Sequence, residues 1–479
     1  MKSTSHNFKN NAHDAMENDN LQQALSKMKV GFVERRRTAA DRLPEFEALR
    51  DQARDIKNHT LEHIDFYLER FEERVLEQGG HVHWARDATE ACEIISGICK
   101  NLDAKMVTKG KSMVAEEIGL NDALERDGLE VVETDLGEYI IQLRKEAPSH
   151  IIAPAIHVLK EQVASDFRQH HVGLSADRSL EEPEELIHEA RSVLRQKYLD
   201  SDVGITGANF LIAETGTSVI VTNEGNGDLT QTLPKAHVVI ASLEKIVPNL
   251  EDATSLLRVL ARSATGQEFS SYTTFSSGPK RADDPDGPGE YHVVLLDNGR
   301  SKMLGSEFQE MLRCIRCGAC MNHCPVYGAI GGHAYGWVYP GPMGAVLTPS
   351  FIGVEEAGDL PNASTFCGRC EAVCPVRIPL PKMMRKLREK QFEAGHAPKA
   401  ARFGLSIWAS LASRPRIYQF MIGCTAKFLA ALGGKQGRIS ALPFASGWTE
   451  HRELPAPQGK TFQQMWQDQK GRREMGDQK

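Results

Sequence analysis

The chain has 479 residues, 41% of them apolar, with 57 basic and 64 acidic side chains and a formal charge of −7. That length predicts two or three domains with ordinary cores, and the charge balance shows no basic patch or stripe, so no nucleic-acid partner is expected. No run of about 18 apolar residues exists, so no spanning helix is expected, and the polar start, Met1 to Glu17, has neither the apolar stretch of a secretory signal nor a twin-arginine pair.

In chain order, residues 1–78 read as a helical N-terminal extension. Its first 18 residues look disordered. From Leu21 to Glu77 the pattern is helical and heavily charged, with Phe66, Leu68, Phe71 and Val75 at helical spacing and a stop at Gly79-Gly80. This lead-in is expected to pack on the domain that follows. Residues 79–300 alternate short strands and helices, which predicts a parallel or mixed α/β sheet. Strands are expected at His81–Trp84, Ala104–Thr108, Glu130–Glu133, His150–Ala153, His237–Ser242 and Tyr291–Leu296. Helices are expected at Asp87–Lys100, Ser112–Asp127 and from about Ile156. The stretch Gly207 to Gly227 reads as a β-hairpin with two glycine turns, and Ser276 to Glu290 as a polar loop.

Residues 301–394 change in composition to cysteine, glycine and proline. Seven of the ten cysteines lie here in two runs. The first is Cys314-Ile-Arg-Cys317-Gly-Ala-Cys320-Met-Asn-His-Cys324-Pro325, and the second is Cys367-Gly-Arg-Cys370-Glu-Ala-Val-Cys374-Pro375. The first has the C-x2-C-x2-C-x3-C-P spacing with which ferredoxin-type proteins hold iron–sulfur cubanes. Three cysteines spaced by two residues wrap one face of a cluster, and the fourth, before proline, reaches the other cluster in two-cluster proteins. On that crossing pattern Cys314, Cys317, Cys320 and Cys374 hold one [4Fe-4S] cluster, and Cys324, Cys367 and Cys370 hold the second. The second set is one cysteine short, and the missing position is Ser364. Three explanations stand open: a cubane with a non-cysteine or open fourth site, which is favoured; a [3Fe-4S] cluster; or an oxygen ligand from Ser364. Zinc also uses C-x2-C pairs, but seven cysteines in two proline-terminated runs fit two four-ligand zinc sites poorly. His323 and Arg369, inside the loops, are candidates for tuning the cluster potential or are simple surface residues. Cys92 and Cys99 sit in a helical pattern and read as packing residues; Cys424 stands alone.

Residues 395–479 form a helical C-terminal tail, apolar over Ala400–Leu411 and Ile417–Leu432 and interrupted at Pro415. It reads as folding back on its own domain, docking a partner or touching a membrane surface. Reduced cysteines fit a cytoplasmic location, with peripheral contact at the inner face of the membrane left open.

The cysteine runs, with Lys111-Ser-Met-Val-Ala-Glu-Glu-Ile-Gly-Leu120, Glu133-Thr-Asp-Leu-Gly-Glu-Tyr139, His150-Ile-Ile-Ala-Pro-Ala-Ile-His157 and Gly207-Ala-Asn-Phe, closely resemble the lactate utilization protein B family over about residues 20–470. The resemblance implies a LUD domain, with a sheet like that of CoA transferases and sugar isomerases, fused to an α-helical two-cluster ferredoxin-type domain and helical tails. It implies the same seven cysteine ligands and electron transfer in a complex oxidising L-lactate to pyruvate. The implied partners are a cysteine-rich subunit and a free-standing LUD-domain subunit.

Lactate oxidation needs a base, a cation for the carboxylate and a two-electron acceptor, and the chain shows no flavin or nicotinamide fingerprint. Near predicted strand ends, where α/β sheets bind ligands, Lys109, Lys111, His157, Asn209, Glu214 and Asn223 are candidates for holding the organic acid, and Lys111, His157, Asn209 and Glu214 are the catalytic candidates among them. The bland alternative makes the histidines surface or helix-start residues and Glu214 part of a turn. Three roles follow: an electron-transfer subunit, which is the preferred reading; a lactate dehydrogenase in its own right, with the LUD cleft as active site; or a redox-sensing scaffold.

Overall fold

Two sheets organise the first part of the chain in a computed structural model that describes residues 3–175, 177–443, 446–449 and 452–476. The strands are β1 His81–Ala85, β2 Met106–Gly110, β3 Glu130–Glu133, β4 Val203–Gly207, β5 Phe210–Ile212, β6 Thr217–Thr222, β7 Ala236–Ser242, β8 Ile246–Val247, β9 Tyr272–Ser276 and β10 Glu290–Leu296. Six of them form one sheet in the order β1-β10-β7-β4-β2-β3, with every pair parallel. A parallel sheet has to be covered on both faces, and the alternation of its side chains shows how. Val238, Ile240, Val294 and Leu296 pack with Ile95 and Cys99 of the helix Ala88–Asn101. Their neighbours Val239, Ala241, Val293 and Leu295 pack on the opposite face with Leu68, Phe71 and Val75 of the helix Ile64–Glu77. Cys99 is thus a core residue, as its helical spacing predicts.

Several elements differ from the sequence expectation. The helix expected over Ser112–Asp127 is two, Met113–Ile118 and Leu120–Arg126, because Gly119 takes a left-handed conformation (φ +67°) between them. His150–Ala153 is a loop and not a strand. Its His150 Nδ1 accepts the backbone N–H groups of Ile152 and Ala153, both at 3.2 Å, so the segment turns on its own side chain and offers no ladder. Within Gly207–Gly227 only β5 and β6 form the hairpin; Gly207 ends β4, and Gly225 caps the helix Asn226–Thr232. β5 and β6 belong to the second sheet, ordered β8-β5-β6-β9.

The N-terminal extension packs on the α/β domain as expected, Ile64–Glu77 on the six-stranded sheet and Phe46–Glu62 on the helix Leu250–Ala264, but it also reaches further. The earlier helices share a core with the cysteine-rich segment: Phe8, Met28, Phe46, Leu49 and Ala53 pack with Met311, Ile315, Tyr327, Tyr335 and Met384. The first residues, read as disordered, contain the helix Phe8–Glu17. The Phe8 ring lies 5.4 Å from that of Tyr335, and Ser5 Oγ donates to the Tyr335 carbonyl at 2.8 Å. The burial that a polar stretch could not supply locally comes from a segment more than 300 residues away. Phe210, Ile212 and Val219 of the second sheet join the same core, so the α/β domain and the cysteine-rich domain are packed through it.

Residues 392–479 form a separate unit. Its helices Lys399–Ala412 and Pro415–Gly433 pack on each other, and Phe403, Trp408, Phe420 and Phe428 are exposed. Among the described residues no helix is long and apolar enough to cross a membrane.

Candidate iron–sulfur centre

Each cysteine run is built on the same turn. Arg316 (φ +57°) precedes Cys317, and Gly318 (φ +73°) follows it; Phe366 (φ +54°) precedes Cys367, and Gly368 (φ +76°) follows it. Each glycine starts a short helix, Ala319–Asn322 or Arg369–Val373, which presents Cys320 or Cys370 on its first turn. The left-handed pair folds the chain back so that cysteines three apart face one space.

The fold brings the seven cysteines together in two groups. Cys314, Cys317, Cys320 and Cys374 line one cavity; the charges of Cys314 and Cys374 act on the thiols of Cys317 and Cys320, and Cys320 also feels Cys370. Cys324, Cys367 and Cys370 form the second group, with Cys324 and Cys367 acting on Cys370. The first cavity thus takes Cys374 from the second run. Burial pushes the Cys317 and Cys370 thiols up to about 12 and also raises Cys320, Cys324 and Cys374. Cys367 is exposed and lowered, chiefly by the Arg369 N–H. Thiols so buried become thiolates only with a cation bound among them, which is what the irons of a cluster supply. Among the described residues no three His, Cys, Asp or Glu side chains converge on one point; a cubane does not ask this, since each thiolate bonds a different iron. The donor set therefore fits iron–sulfur clusters.

Residues far away in the sequence hold the ligand loops. Arg50, buried in the helix Phe46–Glu62, donates Nε and Nη2 to the Cys374 carbonyl at 3.2 and 2.7 Å, and Nη2 also to the Ala372 carbonyl at 2.7 Å. Arg36 donates to the Val373 carbonyl at 3.0 Å. His323 Nδ1 lies 2.9 Å from the Ala319 carbonyl, whereas Arg369 is exposed. Nothing in the sequence marks Arg50 or Arg36, since both sit in charged helical stretches.

A buried charge network joins the two domains. Arg300 pairs with Glu117 at 2.7 Å and with Glu244 at 3.0 Å. Tyr339 O–H donates to Glu117 at 2.5 Å. Arg316, one residue before Cys317, pairs with Glu244 at 3.1 Å and lies 4.7 Å over the Tyr339 ring. The two arginines hold the Glu244 carboxyl at about 2, against a burial effect that would raise it.

Next to this network, beyond the C-terminal ends of β2, β3 and β4, lies a cavity of about 170 Å³ lined by Lys111, Asp135, Glu138, Asn209, Lys245 and Arg316 among others. Three of the six cleft candidates reach it: Lys111, Asn209 and Asn223. Lys111 is ion-paired with Asp135 and Glu224. Asn223 is engaged with Gln267 and the Ser271 N–H. The other three do not line it. Lys109 is sealed between Glu116 and Glu133 at 2.7 and 2.8 Å. His157 binds Glu146 at 2.8 Å and lies 4.4 Å from the His333 ring, and Glu214 is exposed in the hairpin turn. Lys245, Arg316 and Glu138 were not among the candidates. Lys245 follows a strand that reads as apolar, Arg316 sits inside the cysteine run, and no local signal shows that they meet. Glu138 is fully buried, and burial together with the charges of Glu133 and Asp135 raises it well above the usual carboxylate range.

A parallel α/β domain packed through a common core on a crossed pair of ferredoxin-type cysteine loops defines an iron–sulfur protein. The comparisons agree: the LUD domain family matches residues 68–296, the 4Fe-4S dicluster domain residues 310–378, and the family "Lactate utilisation protein B, C-terminal" residues 369–471. Proteins named lactate utilization protein B are 43% identical in Bacillus licheniformis, over 100% of both chains, and 42% in Bacillus velezensis, over 96% of both. The chain belongs to the lactate utilization protein B family. A DUF162 family protein from Deinococcus radiodurans, 16% identical over 49% of this chain and 98% of its own, gives a TM-score of 0.28, too low to bear on the fold.

Proposed function

We propose that the chain is the electron-transfer subunit of a complex that oxidises L-lactate to pyruvate, holding two iron–sulfur clusters. The observation that carries this is the cavity lined by Cys314, Cys317 and Cys320 of the first run and Cys374 of the second. Cys314, Cys317, Cys320 and Cys374 would hold one [4Fe-4S] cluster, and Cys324, Cys367 and Cys370 the other, with Ser364, an open site or a [3Fe-4S] form accounting for the missing cysteine. Bound there, the clusters supply one-electron redox chemistry.

The chain's own residues support that chemistry in distinct ways. Arg50 and Arg36 fix the carbonyls of the second loop. Met311, Ile315, Val376 and Ile378 keep water from the first group. Lys57 and Arg316 place positive charge near Cys314, which favours the anionic thiolates. The exposed Cys367 marks the side on which a partner's redox carrier would approach. The relatives' name supplies the choice of lactate, and the family resemblance supplies the partners, a cysteine-rich subunit and a free-standing LUD-domain subunit, in the cytoplasm.

Electron paramagnetic resonance of anaerobically purified protein, with iron quantified on the same sample, tests this reading. Interacting signals from two reduced cubanes and about eight irons per chain are expected for two four-iron clusters. Bound zinc and no signal would overturn it.

A further inference from the structure

The cavity at the strand ends and the cavity of the first cysteine group share walls: Ile151 and Arg316 line both. Around Glu244 the cationic side chains outnumber the carboxylates. Three buried cations, Lys57, Lys245 and Arg300, and the nearly buried Arg316 are grouped with two buried carboxylates, Glu117 and Glu244. Three of the cations are accounted for. Arg300 and Arg316 take the carboxylates, and Lys57 donates to the backbone carbonyls of Glu244 and Ile246. Lys245 is not. It is 6% exposed, it lines the strand-end cavity, and among the described residues its ammonium has no hydrogen bond or ion pair. An unpaired ammonium out of water is costly and calls for an anion. Beside it, Asn209 accepts the Val221 N–H at 2.9 Å through Oδ1, which leaves its Nδ2 as a donor at the cavity wall. The space holds several water-sized groups. The protein's own anions in the cavity are unsuited to pair with Lys245: Asp135 is taken by Lys111, and Glu138 is a raised, buried carboxyl that accepts the Lys111 N–H.

We propose that this cavity binds a small organic carboxylate, anchored by Lys245 and Arg316 with Asn209 as a neutral donor, directly against the loop of Cys314 and Cys317. The choice of a 2-hydroxy or 2-oxo acid rests on the lactate-oxidation reading above; what is added is that the acid sits on this chain and not on a partner, beside the first cysteine group. A carboxylate bidentate or shared between an ammonium and a guanidinium is among the stronger polar contacts available to a protein, and the site's position outside the carboxyl ends of parallel strands is where α/β sheets bind ligands.

The test uses the full chain, purified anaerobically with its iron counted. L-lactate and pyruvate are titrated calorimetrically, with acetate and inorganic phosphate for comparison, into the wild type and into Lys245→Gln, Lys245→Arg and Asn209→Ala. The wild type is expected to bind pyruvate or lactate. Lys245→Gln should weaken binding by about 10- to 100-fold, the worth of one hydrogen bond to a charged group, and Lys245→Arg should restore most of it. Ligand should also shift the resonance lines of the reduced first cluster. Absence of binding in fully iron-loaded wild type would overturn the proposal. So would phosphate binding as tightly as pyruvate, or a Lys245→Gln variant that keeps its affinity and changes only the cluster potential, since the charge would then serve the cluster alone. A chain that lacks iron but binds pyruvate would keep the site and remove the electron-transfer reading, so the two fail separately.

Discussion

Arg316 and Phe366 take up the same left-handed conformation, φ +57° and +54°, each directly before a cysteine that a left-handed glycine follows. The two loops therefore share one turn, and Ser364 stands three residues before Cys367 as Cys314 stands before Cys317. The Phe366 N–H donates to Ser364 Oγ at 3.1 Å, so the serine oxygen is turned into its own loop. The pair of loops is symmetric in backbone and unequal in chemistry.

Because the backbone at Ser364 already has the ligand-loop shape, Ser364→Cys should complete the second set without rearrangement. The expected outcome is a second cluster that keeps its iron in air several-fold longer than wild type, followed by the loss of visible absorbance. An unchanged lifetime would show that the fourth site is already filled by another group.

Cys374 belongs to the second run in sequence and to the first group in space. Cys374→Ser should therefore damage the cluster of Cys314, Cys317 and Cys320 and spare the other. Iron should fall by about half, with one resonance signal retained. Loss of the signal assigned to Cys367 and Cys370 would contradict the crossing.

Glu117 is fully enclosed and held by Arg300, Tyr339 and Asn298. Glu117→Gln leaves the Arg300 charge half paired inside the protein. Breaking one partner of a buried pair costs about 3–5 kcal/mol, so chemical denaturation should show a loss of this order. A loss below about 1 kcal/mol would mean that Glu244 alone satisfies Arg300.

Phe8 fills a gap against Tyr335, and Tyr335 lies near Cys320, Cys324 and Cys370. Phe8→Ala should cost about 3 kcal/mol, at the low end for a buried phenylalanine, and should speed iron release. If the variant is as stable as wild type, the helix Phe8–Glu17 is not part of the cooperative core.

His150 and His237 are both fully buried. Burial lowers them from 6.5 to about 4 and about 3, respectively. The folded values lie below the unfolded value, so the unfolded chain takes up these protons first. Stability is complete above about pH 6.5 and falls with pH toward 4, by up to ~1.4 kcal/mol per histidine per pH unit. Melting temperatures between pH 7.5 and 5 should show this fall, and His237→Gln should flatten part of it. Equal slopes in the variant and wild type would exclude His237 as a contributor.

How much of this could be read from the chain differs by element. The two cysteine loops were legible because ligand spacing is a local property of a tight loop. β1, β7 and β10 were legible because a strand buried on both faces shows as a short apolar run. His150–Ala153 has the same apolar look and is a loop, since a side-chain acceptor two residues back competes with the ladder. The helix Phe8–Glu17 was missed because its partner, Tyr335, is remote.

The sequence by itself determined the donor atoms and the loops that present them, set within a few residues by backbone conformation. Only the tertiary structure decided what surrounds them. Arg50 on the Cys374 carbonyl, the unpaired Lys245 beside Arg316, and the strand-end cavity that shares Ile151 and Arg316 with the cavity of the first cysteine group join residues tens to hundreds of positions apart. Burial and charge compensation depend on every segment that packs at a point, and no local pattern in a chain records them.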